Sequence, residues 1–381
     1  LERCDVAVVG AGIVGLAHAY CAAKRGLSVA VIERHAQARG ASVRNFGMVW
    51  PIGQAGAAAA NAHRSRRIWG AMLHEAAIWH DACGSLHVAH HPDEMATLRE
   101  FAERAGGEFD LELLTADETL RRFPRVNRDG LEGALFSAGE LCVDPRATLA
   151  GLPEFLAAKY GVRIHFETLA RRVREGIVET HRGEVVAGAV FICSGDETQT
   201  LFPEFHAESG LVPVKLQMMR ATAPAGWSMG TLLAGGLTLL HYPSFQGCPS
   251  QQDVRERFER SHGEHLEWGI HGMVSQHAGA HLTLGDSHEY GSFTPFSHER
   301  VDQMILDYIS TLIDVPRFAI SSRWHGVYLK HPERWHLTHS PCPGVQLVVG
   351  LGGAGMTQSF GVADTNLAAL EGTASSSQLQ R

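Results

Sequence analysis

The sequence predicts a mixed α/β protein, α+β overall, in which a domain built on a parallel sheet is interleaved with one built on an antiparallel sheet. Three observations predict it. The chain opens on a strand, a glycine turn, a helix and a second strand between Asp5 and Glu33. It returns to a strand feeding a glycine cluster at Val345–Gly361. Between Val212 and Tyr290 short alternating apolar runs dominate, as in antiparallel strands. With 381 residues the chain is too long for one small core. The division expected is a discontinuous parallel-sheet domain over 1–83, 144–211 and 340–372, an antiparallel-sheet domain over 84–143 and 212–339, and a polar, flexible tail over 373–381.

The opening unit carries the most specific pattern. Val6–Val9 is a buried-looking strand running into Gly10-Ala-Gly12-Ile13-Val14-Gly15, and the helical run beyond it meets no breaker before Gly26. Each glycine has a task in a Rossmann-like dinucleotide-binding unit. Gly10 permits the tight turn, Gly12 lets a pyrophosphate approach the backbone, and Gly15 lets helix and strand pack closely. The free N–H groups around Ile13 and Val14 face that charge. Ser28–Glu33 is the second strand, and its terminal acid, followed by Arg34, is placed to accept hydrogen bonds from an adenosine ribose. The loop that follows, with Gly40-Ala41-Ser42 and Asn45-Phe46-Gly47-Met48, is longer than an NAD domain needs. Small residues there permit close backbone approach to a longer dinucleotide, which favours FAD.

The chain then predicts a helix over 57–83, a strand over 85–91, a helix over 93–104 and a capping box at Thr115–Glu118. Strands follow at Leu135–Phe136 and Cys142–Val143, and a helix runs from Asp144-Pro145 to Tyr160. Arg163–Phe166 is a short strand, and Arg171–Glu179 with Glu184–Val186 a hairpin around Arg182-Gly183. Ala189–Cys193 is a buried strand ending at Ser194-Gly195, expected beside the cofactor. In the antiparallel region Val214–Arg220, Gly236–Tyr242, His281–Gly285 and Ala319–Tyr328 read as strands. Gln251–Trp268 and Pro295–Ile313 read as helices. Near the C-terminus, Gly352-Gly353-Ala354-Gly355-Met356-Thr357 opens a last helix whose N–H groups can face the pyrimidine edge of a flavin. Two glycine turns, each fed by an apolar strand, are a joint signal for FAD.

Net charge is −8 and no basic stripe is present, which argues against a nucleic-acid partner. No apolar run approaches the roughly 20 residues of a spanning helix, so no membrane partner is expected. Nothing at the start of the chain reads as a secretory leader, and the seven dispersed cysteines read as reduced thiols, so a cytoplasmic location is expected. A homo-oligomer is left open. Among 23 histidines the close sets are His87/His90/His91, His262/His265 and His277/His281. His277/His281, spaced i, i+4, lies in a glycine-containing, strand-like context, so no metal is expected.

The runs Val8–Gly15, Gly40–Ser42, Phe191–Gly195 and Gly350–Thr357 together resemble the D-amino-acid oxidase/glycine oxidase/sarcosine oxidase superfamily of FAD-dependent amine oxidoreductases, over nearly the whole chain. Ser42–Gln54 is similar to a subgroup associated with phosphonate breakdown. That resemblance implies hydride transfer to flavin N5 from a carbon bearing nitrogen in a small zwitterionic amine, 2-aminoethylphosphonate or its N-methyl derivative. The imine then hydrolyses to phosphonoacetaldehyde, and O₂ is the expected acceptor. It also implies Tyr242 over the flavin face, Met48 against the ring, and His241 beside Tyr242 at the end of a substrate-sheet strand. Amino-acid oxidases of this type clamp a carboxylate with an arginine near the position of Tyr328. Tyr242 and Tyr328 are the catalytic residues implied here, with Met48, His241, His325 and Lys330 as substrate-binding residues, and the Tyr328–Lys330 pair suits a tetrahedral phosphonate. Alternation sets Arg323 on the opposite face. Cys342, the candidate for covalent attachment, sits between prolines, so FAD is expected to be non-covalent. The alternatives are a glycine, sarcosine or D-amino-acid type oxidase, an FAD-dependent 2-hydroxy-acid dehydrogenase, and a flavoprotein without catalysis.

Overall fold

The computed structural model describes residues 2–278, 281–315 and 318–378 and, among these, side chains up to Leu370. Glu2–Val9 lies between Val29–Ile32 and Gly183–Ile192, all parallel, with Val6 opposite both Val29 and Ala189. Arg163–His165 extends the sheet on one side and Val345–Val349 on the other, and Leu337–Cys342 adds an antiparallel strand. Val6–Val9 and Val29–Ile32 are buried throughout, which explains their unbroken apolar runs: both faces of the sheet are covered. Val6 and Val8 pack with Leu16, Leu149, Leu152, Phe360 and Trp69 of the covering helices, while Ala7 and Val9 join Val178, Leu201 and Leu347 on the other side.

The second sheet has nine strands and is mostly antiparallel. Its spine is the pair Val212–Thr222 and Ala319–Lys330, in register from Val212 opposite Lys330 to Thr222 opposite Ala319 with a shift at Arg220/Ala221. The helix Glu299–Leu312 covers it with Val301, Ile305, Tyr308, Ile309 and Leu312, an apolar stripe of helical period. Met48–Val49, Leu141–Val143 and His80–Asp81 form a small sheet of their own. Among the described residues no helix is long and apolar enough to cross a membrane.

Several expectations are corrected. The helix expected over 57–83 is Gly56–Ala76, ended by Ala77 in the left-handed conformation at φ 51°. Arg171–Glu179 is two strands, Ala170–Arg174 and Ile177–Thr180, because Gly176 turns at φ 78°. The hairpin's last strand and the buried strand behind it are one element, Gly183–Ile192. Gly236–Tyr242 is not a strand: Thr238–His241 is a helical turn, with the Thr238 hydroxyl donating to the Gly235 carbonyl at 2.6 Å. Gln251–Trp268 divides at His262 into Gln251–Ser261 and Gly263–Glu267. The last helix runs Gly355–Gln378, past the expected start of the tail, and 379–381 lie outside the described residues.

Glu140 is a carboxyl group buried in this frame with no cation bonded to it among the described residues. It is fully buried and accepts from the Ile52 amide at 3.2 Å and the Ser85 hydroxyl at 3.1 Å. Burial raises its pKa from 4.5 to about 7, against the opposing hydrogen bonds. A raised acid costs nothing where it is neutral in both states, so its penalty is absent below pH 4.5, develops as pH rises towards 7, and is full above. Glu140→Gln is therefore expected to stabilise the protein at pH 8 by up to about 3 kcal/mol, and by about 1 kcal/mol or less at pH 5. Denaturant unfolding at the two pH values checks this, and a pH-independent difference contradicts it.

Candidate active site

The two glycine turns lie one strand apart at the same end of the sheet: Glu2–Val9 and Val345–Val349 flank Gly183–Ile192, all parallel. Gly10 sits at φ 104°, and a Cβ there would lie 2.4 Å from the Cys193 carbonyl oxygen. A Cβ on Gly15 would lie 1.9 Å from the Gly10 oxygen, the close helix–strand approach expected of the third glycine. Glu33 is buried and accepts from the Ala11 and His35 amides, both at 2.9 Å, so its carboxylate also locks the turn it faces. Arg34 is 3.9 Å from Glu197.

The loop after Glu33 is stitched onto this turn. The Ile13 amide donates to Ser42 Oγ at 3.0 Å, and a Cβ on Gly12 would lie 3.1 Å from that same oxygen. Asn45 folds back, donating to the Ala41 and Ser42 carbonyls and accepting from the Gly47 amide at 2.7 Å. Thr357 accepts from the Trp50 amide at 2.9 Å, which ties the loop to the last helix.

These elements wall a cleft of about 880 Å³. Gly10, Gly12, Ile13, Val14, Glu33, Arg34, Ala41, Ser42, Asn45, Phe46, Met48, Ser194, Gly195 and Gly352–Thr357 line it. So do His241, Tyr242, Tyr328 and Lys330. Three sequence-derived residues do not. Gly15 packs behind the turn, and Gly47, at φ 71°, has the Val143 carbonyl where a Cβ would stand. His325 is a correction: it does not line the cleft, and strand alternation sets it on the face of Arg323 rather than that of Tyr328. Arg323 is on that face too, ion-paired with Asp302 at 2.9 Å and Glu299 at 3.2 Å.

At the antiparallel-sheet end the cleft gathers Tyr242, Tyr328, Lys330, His241, His271, His288 and Asp286. Tyr242 donates to Met273 Sδ at 3.1 Å, and burial pushes the pKa of both tyrosines up, so both hydroxyls keep their protons. The Tyr328 hydroxyl would lie 3.2 Å from a Cβ on Gly353, which makes the last glycine turn a wall of this end as well. Lys330 makes no ion pair or side-chain hydrogen bond among the described residues; its ammonium has only the Tyr290 ring, at 5.6 Å, and burial lowers its pKa. Burial likewise holds His271, at about 3, and His288, at about 4, neutral.

Sequence reasoning missed His271, His288 and Asp286, which sit on loops around the Met273–Gln276 and His281–Gly285 strands. The histidine sets close in sequence are elsewhere: His87 is buried with both ring nitrogens unpartnered, and His277 bonds Thr283 Oγ1 at 2.8 Å and the Val143 carbonyl at 3.1 Å. Cys342 does not line the cleft. Cys193 does, but its thiol points into the core, 3.9 Å from His18 Nδ1.

A parallel sheet with glycine turns at the ends of two strands, a buried acid ending the neighbouring strand, and one long cleft running on to a second sheet define a flavin-dependent oxidoreductase. The comparisons agree: the profile of the FAD dependent oxidoreductase (DAO) family matches residues 5–367, and the chain belongs to that family. A glycine oxidase of Geobacillus kaustophilus is 27% identical over 247 residues, covering 61% of this chain and 65% of that relative. The crystal structure of a glycine oxidase from that organism superposes with a TM-score of 0.75 at 22% identity, over 97% of this chain and 94% of that one. The Bacillus cereus glycine oxidase gives 0.76 at 19% over 97% and 95%, and L-proline dehydrogenase from P. horikoshii 0.74 at 17% over 95% and 91%. The cofactor is FAD. The glycine turns that line the cleft, and a first helix whose N-cap residue Gly12 supplies no side-chain bond, fit its pyrophosphate and ring.

Proposed function

We propose that the protein oxidises a small amine bearing an anionic group, an aminophosphonate such as 2-aminoethylphosphonate or its N-methyl derivative. The observation that carries this reading is the unpaired Lys330 ammonium beside the unpartnered Tyr328 hydroxyl, facing the cleft where a carboxylate clamp would need a guanidinium. A point charge and a single O–H donor suit a tetrahedral anion better than a planar one.

In this reading the parallel-sheet domain holds FAD through Gly10, Gly12–Val14, Glu33, Arg34, Ala41-Ser42, Asn45-Phe46, Met48, Ser194-Gly195 and Gly352–Thr357, and the antiparallel sheet holds the substrate. Bound FAD supplies a two-electron acceptor. Lys330 and Tyr328 would fix the anion and so place the carbon bearing nitrogen. Tyr242 and Met48 would close the site against water. The amine reacts as its free base, so no general base on the protein is required if it binds neutral. Loss of a hydride, two electrons and one proton, from the free-base amine would give a protonated imine, which water converts to phosphonoacetaldehyde and ammonium or methylammonium. We read O₂ as the final acceptor, reduced to hydrogen peroxide, and the cytoplasm as the location.

Anaerobic flavin bleaching tests the reading, with 2-aminoethylphosphonate, its N-methyl form, glycine, sarcosine and 2-hydroxyglutarate as the panel. Faster bleaching by the aminophosphonates is expected. The likeness to glycine oxidase favours a second reading, a small amino acid as substrate. Preferential bleaching by glycine or sarcosine would establish that instead.

A further inference from the structure

Three histidines and an aspartate meet at the antiparallel-sheet end of the cleft in an arrangement that the amine chemistry does not require. His241, His271 and His288 each offer a ring nitrogen, and these atoms lie within 4.8 Å of one another. The His241 and His271 rings are 3.6 Å apart by centroid, and those of His271 and His288 are 4.3 Å apart. Asp286 stands beside them, with Oδ1 at 3.6 Å from His271 Nδ1 and Oδ2 at 3.7 Å from His288 Nε2.

The hydrogen bonding fixes what His288 presents. Its Nδ1 is 3.1 Å from the Gly269 carbonyl, which only accepts, so Nδ1 carries the proton. In a neutral ring Nε2 is then a lone pair, the orientation a backbone carbonyl imposes on metal-bound histidines. That lone pair faces a carboxylate oxygen. Two acceptors face each other inside the protein, and a proton does not bridge them, because 3.6 and 3.7 Å are too long for a hydrogen bond. Asp286 is 6% exposed and its Oδ1 has no hydrogen-bond partner. Two atoms each about 2 Å from one ion stand roughly 3–4 Å apart, so the observed gaps suit an ion between them.

We propose that His241, His271, His288 and Asp286 bind a divalent transition-metal ion of the zinc class, with its remaining coordination position open to the cleft. Imidazole nitrogens with one carboxylate are a donor set for zinc, copper, iron or nickel rather than for calcium or magnesium. With one carboxylate as the charged ligand, the site keeps a net positive charge beside Lys330. It would therefore take an anionic oxygen of the substrate in its open position. That last step rests on the anionic-amine reading above; the metal site itself does not.

The test is zinc titration of the FAD-loaded protein after treatment with a chelator, followed by calorimetry, and by absorption with cobalt as the spectroscopic substitute. One equivalent is expected to bind, with a visible cobalt band of a nitrogen–oxygen site. His271→Ala and His288→Gln are each expected to weaken binding at least tenfold while the flavin spectrum, which reports the fold, is kept. Equal zinc affinity in parent and variants would place uptake at other histidines and overturn the site, as would no uptake at all. For the substrate step, KM for the anionic amine is expected to be at least tenfold lower in the zinc-loaded than in the stripped enzyme, and an unchanged KM refutes that step. The titration needs no substrate, so failure of the amine reading would leave it intact.

Discussion

Lys330→Met is expected to lower kcat/KM for the anionic amine about a hundredfold, with little change in the flavin spectrum. The side chain keeps its length and apolar stem, so packing against the Gly352 turn survives, where a Cβ on Gly352 would lie 3.5 Å from Lys330 Cγ. What disappears is the one cation of this strand on the cleft side. A hydrogen bond to a charged partner contributes up to about 3 kcal/mol, which is roughly two decades in kcat/KM. Tyr328→Phe removes a neutral donor and is expected to cost about tenfold. The control is a primary amine of the same length without the anionic group: parent and Lys330→Met should oxidise it equally slowly. An equal loss on both substrates would mean that the lysine supports the fold rather than the anion.

Gly10→Ala is expected to yield protein that does not retain FAD and melts far below the parent. The methyl group would stand 2.4 Å from the Cys193 oxygen, which belongs to the neighbouring strand and cannot withdraw without dragging the Ser194-Gly195 turn. The backbone conformation adds its own strain of about 1–2 kcal/mol for a non-glycine residue. Gly26→Ala separates the two effects: Gly26 also has positive φ, at 78°, but no atom lies within 4 Å of its missing Cβ. That variant should lose only the strain and keep its flavin. If both variants behave alike, close approach of strand and turn is not what Gly10 provides.

The glycine turns that line the cleft were legible in the sequence because their requirements are local. A strand, three glycines at fixed spacing and an acid two dozen residues on specify a turn, a close approach and a buried carboxylate, and Gly10, Gly15 and Glu33 stand where that logic puts them. The strand carrying Tyr328 and Lys330 was legible for the same reason: period-two alternation decides which face each side chain takes, and it also separates Arg323. The same rule should have removed His325, whose parity is that of Arg323. The histidine cluster was not legible, because no spacing links His241, His271 and His288; sheet pairing brings their segments together. Gly236–Tyr242 misled because Leu237 and Leu239 alternate as in a strand. Its backbone is instead turned at Gly235-Gly236, where a Cβ on Gly236 would lie 2.1 Å from Glu94 Oε1.

The place of Val345–Val349, docked beside Gly183–Ile192 with Val190 opposite Val345, sets a timetable for biosynthesis. A nascent chain leaves the ribosome N-terminus first, so the opening glycine turn is in solution long before the closing one is made. Until the closing strand emerges, the far half of Gly183–Ile192 presents an open edge to any partner, including another nascent chain. A cleft walled by both glycine turns is therefore complete only at the end of translation, once Gly352–Thr357 has been made.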